Sequence, residues 1–245
     1  MYSITPLICA TSSVPKAMLL RNLGWGEHME IASVAWLIRG AGVTMLIDTS
    51  LGGAWDDPAF AVTRGSLGMW EIRGGGLIAQ LGALGLAPDD IDTIILTHLH
   101  TDHIASLPVF GSSRIVISRT GWERARAETH PWLDTYSTEI FSWMEGQGDR
   151  LQLVSDDDEI SGGIVFHWMG GHSPCSQAVI LDTKAGRTAF AGDLVPLTKN
   201  WETGVPTGHF QNIREVAAAY AYLSEFDAIV PGHDPKQPSW MEASP

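Results

Sequence analysis

The chain has 245 residues, with 15 Lys+Arg against 28 Asp+Glu, and so a formal net charge of −13. That length suits one large domain or two small ones, and 44% hydrophobic against 18% charged residues excludes disorder and a coiled coil. A strongly acidic chain without a basic stripe repels phosphate backbones, which argues against nucleic acid as a partner. The two cysteines, Cys9 and Cys175, lie far apart in sequence and are expected as reduced thiols. The first ten residues carry neither a basic segment nor the apolar core of a secretion signal. No run of roughly 18 apolar residues offers a membrane span. A cytoplasmic protein that does not engage membranes is expected. With no repeat and no low-complexity linker, residues 1–245 are read as a single domain.

In chain order, residues 31–39 and 43–48 read as two strands of a hairpin around Gly40-Ala41-Gly42. Leucines at helical spacing predict a helix over 77–86, stopped by Ala87-Pro88-Asp89-Asp90. A short β-rich run at 93–96 leads directly into Thr97-His98-Leu99-His100-Thr101-Asp102-His103. A strand is expected at 114–118, a helix at 120–128, and a strand at 163–168 that leads into Gly170-Gly171-His172. Residues 177–182 and 187–191 read as a hairpin whose second strand runs into Gly192-Asp193. A helix over 212–223 and a buried strand over 227–230 follow, the latter exiting into Pro231-Gly232-His233-Asp234. Four times a strand ends and a short loop presents His or Asp, so four loops are expected to converge on one rim.

Three histidines and an aspartate within six residues, directly after an apolar strand, are costly to bury unless something pairs with them. Imidazole and carboxylate together suit zinc, iron or manganese. His98 and His100, two apart on an extended segment, point the same way and can clamp one ion. Asp102 and His103 follow after the chain turns and can serve a second ion roughly 3.5–4 Å away.

The run His98-x-His100-x-Asp102-His103, followed by Gly171-His172, Gly192-Asp193 and Gly232-His233, with Leu46-Ile47-Asp48-Thr49 upstream, resembles the signature of the metallo-β-lactamase superfamily. The resemblance covers nearly the whole chain, with spacings of 69, 21 and 40 residues between successive ligands after His103. It implies an α/β (α+β) fold, a four-layer αββα sandwich with the metal site at one edge of the two sheets. It also implies His98, His100 and His172 on one metal, Asp102, His103 and His233 on the other, and Asp193 bridging them. Asp48 would orient a ligand by hydrogen bond without touching metal. The pattern is similar to that of the dinuclear zinc hydrolases and departs from the HxExD form of the di-iron oxygen reductases of the same fold. Two Zn2+ per chain are therefore expected, with Fe, Mn or Co as alternatives. The expected reaction is attack of an activated water on an ester-like bond, with Asp102 accepting and returning a proton.

Within that superfamily the chain looks most like the N-acyl homoserine lactone lactonase branch, which carries Gly-His-Asp at its last ligand, here Gly232-His233-Asp234. Two departures stand out: Pro196 falls where that branch has a tyrosine on the substrate carbonyl, and Thr101 where an aromatic residue is common. The expected substrate is accordingly a small-molecule lactone or related ester, with a homodimer as the candidate assembly. A glyoxalase II-like thioesterase or aryl-ester hydrolase is the alternative of the same fold, and a di-iron redox or sensor module the alternative of another class. Most of the loop tryptophans, Trp55, Trp70, Trp122, Trp132 and Trp143 among them, read as packing. Trp25, Met29, Trp201 and Phe210 are pocket candidates because a flat apolar side chain near the site could hold an aromatic substrate. His28, His130 and His167 read as ordinary solvated or satisfied histidines. His209 is the exception, placed to polarise a carbonyl in the absence of the tyrosine. Cys175 reads as a packed thiol.

Overall fold

The computed structural model describes residues 2–52, 69–128, 138–160 and 162–242. Its larger sheet runs β4-β1-β2-β3-β5-β6-β7, formed by β1 (Ser3–Pro15), β2 (His28–Gly40), β3 (Val43–Ile47), β4 (Glu71–Ile72), β5 (Thr93–Ile95), β6 (Arg114–Ser118) and β7 (Leu151–Val154). The smaller runs β11-β10-β9-β8, formed by β8 (Val165–Trp168), β9 (Gln177–Thr183), β10 (Gly186–Phe190) and β11 (Ala228–Val230). Described helices are α1 (Lys16–Leu19), α2 (Gly76–Ala83), α3 (Thr101–Ile104), α4 (Arg119–Ala127), α5 (Thr138–Glu145), α6 (Thr198–Thr203) and α7 (Ile213–Leu223).

Alternation along the strands explains the layering. Val34, Trp36 and Ile38 of β2 face the smaller sheet and meet Val179, Leu181 and Phe190, with Trp36 and Phe190 edge-on at 5.5 Å. Ala35 and Leu37, one residue out of phase, face the other way with Leu46, Ile94 and Ile115. There they bury Leu77 and Leu81 of α2, Trp122 of α4 and Met144 of α5. On the far side of the smaller sheet, Ile180 and Ala189 pack on Val216, Ala219 and Leu223 of α7. Three apolar cores thus separate four layers in the order αββα, the architecture expected from the sequence.

β1 is the main departure from the expected elements, which begin only at residue 31. It pairs with β2 almost end to end, but the register shifts between Ile8 and Ala10. The irregularity at Cys9 breaks the two-residue alternation by which a strand is recognised.

Strand direction sets the position of the site. β3 and β5 are parallel, so the turn at Asp48 and the histidine-rich loop leave the larger sheet at the same edge. β8 and β10 each run antiparallel to β9, while β11 runs parallel to β10. The loops after β8, β10 and β11 therefore leave the smaller sheet on one rim.

Candidate metal centre

His98 and His100 leave β5 in extended conformation and point to the same side, while Leu99 between them turns into the outer core. Thr101 opens the single turn α3, which carries Asp102 and His103. The loops after β8, β10 and β11 deliver His172, Asp193 and His233. Two groups result, His98–His100–His172–Asp193 and Asp102–His103–His233, in each of which one ligand atom per residue lies within 4.8 Å of the others. His100 Nδ1 is 3.0 Å from both His98 Nε2 and His172 Nε2. Asp193 stands between the groups. Its Oδ2 is 3.4 Å from His172 Nε2, 3.8 Å from His98 Nε2 and 2.9 Å from His233 Nε2, and its Oδ1 is 3.1 Å from His103 Nε2. Asp102 Oδ2 lies 3.6 Å from His233 Nε2 and 3.9 Å from His103 Nε2. Gly232 permits this closure, because a Cβ there would come within 2.7 Å of Asp193 Oδ1.

Hydrogen bonds on the outer side of the rings decide which nitrogens face inward bare. Thr97 Oγ1 gives its proton to Asp48 Oδ2 at 2.7 Å, so at 3.1 Å it accepts from His98 Nδ1. His103 Nδ1 donates to Asp48 Oδ2 at 2.8 Å. His172 Nδ1 donates to the His209 carbonyl and His233 Nδ1 to the Ala32 carbonyl, both at 2.8 Å. In its neutral form each of these four rings is thereby the tautomer whose Nε2 lone pair aims into the cluster. Lone pairs facing lone pairs and carboxylates repel unless a cation or shared protons lie among them.

The donors fit divalent metal. Nitrogen and oxygen ligands about 2.0–2.1 Å from a tetrahedral zinc lie about 3.3 Å from one another, and the separations here are of that size. His103 Nε2 and Asp193 Oδ1 are buried and, despite their proximity, lack the alignment of a hydrogen bond, as atoms directed at a third partner do. Without a cation the electrostatics are divided. Burial holds His98 well below its ordinary value, helped by the neighbouring His103, and pushes His172 down to about 3. Burial also opposes a charge on His103, but Asp193, Asp48 and Asp102 outweigh it and hold its pKa well above the ordinary range. His233 is raised in the same way, chiefly by Asp193. The carboxyl of Asp193 is held well below its usual range because His233, His103 and His98 overcome its burial.

A buried saddle supports the Asp102–His103 turn. Asp48 and Ser50 take left-handed backbone conformations, φ +57° and +44°, which bend the chain after β3 around α3. Thr49 N and Oγ1 donate to the His103 carbonyl at 2.7 and 3.1 Å, and Ser33 Oγ donates to the Asp102 carbonyl at 2.7 Å. The fully buried Asp48 carboxylate accepts from Thr97 N, Thr97 Oγ1 and His103 Nδ1.

The remaining candidates divide. The His209 ring stacks on His100 with centroids 5.8 Å apart and 3° between planes. Met29 joins the apolar cluster of Val14, Leu19, Ile31 and Leu197. Trp25 is 77% exposed. Trp201 packs against Tyr220, and Phe210 lies beneath the Arg21 guanidinium, both within the core under α7. His28 is exposed, and His167 stacks on Tyr222 beside Asp157. His130, Trp55 and Trp132 lie outside the described residues. Sequence reasoning missed Trp70, whose ring is 6.0 Å from that of His233; it looked like one loop tryptophan among several. Pro196 is buried, and its carbonyl accepts the His233 N–H at 2.8 Å. The residue standing in for the lactonase tyrosine is thus built into the support of a cluster histidine.

The family model described as "Metallo-beta-lactamase superfamily" matches residues 29–233. An N-acyl homoserine lactonase of Bacillus cereus is 24% identical over 174 residues, 69% of this chain and 66% of the relative's length. "Metallo-beta-lactamase domain-containing protein 1" of Xenopus laevis is 26% identical over 211 residues, 86% of this chain and 74% of that protein. Among solved structures, a quorum-quenching N-acyl homoserine lactone lactonase superposes with a TM-score of 0.75 at 21% identity, covering 98% of this chain and 95% of its own.

Proposed function

The chain belongs to the metallo-beta-lactamase superfamily, and from that premise we propose that it is a dinuclear-metal hydrolase, with zinc as its metal, that opens a lactone or cleaves a related ester. The carrying observation is Asp193, whose carboxylate meets imidazoles of both groups, His98 and His172 of one and His103 and His233 of the other. His98, His100 and His172 would hold one cation, Asp102, His103 and His233 the other, and Asp193 would serve both. A pair of cations there supplies a water acidified to near-neutral pKa and polarises an ester carbonyl.

The chain's own residues do the rest. Asp48, Thr97 and the carbonyls of Ala32 and His209 occupy the outer ring nitrogens, so the inner nitrogens are the ones that would be offered to the cations. Asp102, with 18% side-chain exposure against 11% for Asp193, is the carboxylate more open to substrate. It takes the proton released as water attacks and returns it to the leaving oxygen. His209, stacked on His100, would flank the substrate beside one group, and Trp70, near His233, beside the other. The match to lactonases supports a cyclic ester, while Pro196 and Thr101 argue against copying the homoserine lactone preference onto this chain.

The test is metal analysis followed by a panel of lactones, aryl esters and thioesters. Exhaustive chelation should abolish hydrolysis and zinc should restore it; full activity at under one zinc per chain would end the reading. Asp102→Asn should lower turnover roughly 10²–10⁴-fold with the fold intact.

A further inference from the structure

The loop that carries His172 is gripped from outside by a pair of residues that lie in none of the superfamily-like motifs. Asn212 caps α7, its side chain accepting from the N–H groups of Arg214 and Glu215. In a capping box the acidic residue three positions into the helix folds back onto the cap's own N–H. Here the Asn212 N–H instead donates to the Gly171 carbonyl at 3.0 Å, joined by the Gln211 N–H at 2.8 Å. The Glu215 carboxylate reaches past the cap, and its Oε2 accepts the Gly171 N–H at 2.9 Å. Both polar groups of the residue before His172 are thus held by the start of one helix. Gly171 itself has φ +77°, and a Cβ there would stand 2.9 Å from Val216 N, so the grip is tight.

A residue from the opposite helical layer completes it. Arg124 of α4 donates to Glu215 Oε1 at 3.1 Å and lays its guanidinium over the Trp168 ring at 4.5 Å. Trp168 ends β8, and its indole N–H donates to the Pro174 carbonyl at 2.9 Å, across the same loop. Arg124, Glu215 and Trp168 therefore bracket the loop's entry, its centre and its exit.

We propose that Glu215, anchored by Arg124, is a positioning residue that sets the affinity of the His98–His100–His172 half of the centre by fixing the Gly171–His172 backbone, leaving the Asp102–His103–His233 half unaffected. This rests on the two-metal reading above. Residues that orient metal ligands typically contribute 10–100-fold to affinity, so an effect of about that size is expected on one of two bound ions.

The experiment is titration of the metal-free full chain with Zn2+ against a chromophoric chelator, with circular dichroism monitoring the fold. Wild type should take up two equivalents; failure to do so defeats the two-metal reading rather than this one. Glu215→Ala should weaken one equivalent about 10–100-fold and spare the other. Glu215→Gln, whose amide oxygen still accepts from Gly171 N–H, should recover most of the loss. Arg124→Ala should weaken the same equivalent to a lesser degree and add nothing in the Glu215→Ala background. Should Glu215→Ala unfold, the Glu215→Gln and Arg124→Ala pair still decides. Arg124→Ala leaving both affinities unchanged, or weakening both equally, overturns the proposal, as does a Glu215→Gln loss as large as that of Glu215→Ala.

Discussion

Asp48 touches no inward-facing ligand atom, yet its carboxylate organises two rings at once, directly at His103 and through Thr97 at His98. Asp48→Asn keeps the size and tolerates the left-handed backbone, but its amide donors cannot accept all three hydrogen bonds now made. Metal affinity is expected to fall about 10–100-fold, read by zinc release to a chelator; wild-type retention would show that the carboxylate does not orient the ligands. Behind the saddle, burial pushes the Cys9 thiol from 9.0 up to about 12. The fold therefore favours the neutral thiol, and as pH rises above about 9 only the unfolded chain gains by ionising. Stability should decline from pH 9 to 12, less so in Cys9→Ser, as followed by urea midpoints. Native Cys9 should also resist thiol reagents that modify it after denaturation. Individual side chains were legible in sequence where they stood in a dense run: His98, His100, Asp102 and His103 announce themselves by the cost of burying them together. Trp70 and Glu215 were not, because Trp70 nears His233 only through the pairing of β4 with β1, and Glu215 nears Gly171 only through the docking of α7.

Among the elements, the hairpins and the apolar strands after which ligands appear are readable from alternation and turn residues, and α7 from its alanine-rich sequence. The bulged β1 and the short α1 and α6, of four and six residues, were not, since a helix of one or two turns shows no periodicity and a bulge erases one. What joins the two sheets is likewise a tertiary matter: Trp36 of β2 meets Phe190 of β10 edge-on and donates its indole N–H to Gln237 at 3.1 Å. Trp36→Ala should cost about 3–5 kcal/mol, measured by denaturant unfolding. A loss under about 1 kcal/mol would mean that the inter-sheet core does not depend on this contact. The same substitution should loosen the centre indirectly, because β2 also supplies the Ala32 carbonyl that orients His233.

For the molecule as a whole, the centre is drawn from both sheets, so filling it ties them together. A ligand held at 100 times its Kd by the folded state alone adds about 2.7 kcal/mol, and in a chain of this size each kcal/mol moves the midpoint by about 2–4 °C. Chelation is expected to lower the thermal midpoint by about 5–10 °C per cation removed, reversed by zinc; identical midpoints with and without chelator would count against metal bridging the sheets. The order of these contributions along the chain has a further result. Because β11 reaches its neighbour β10 only after α7 has been made, His233 is the last of the cluster histidines to leave the ribosome. A nascent polypeptide can present His98, His100 and His172 while the pocket around His103 still lacks its closing imidazole. On the two-cation reading, the second group is therefore completed only once β11 has been made and paired with β10, and a product released before that point would carry half a centre on an unfinished sheet.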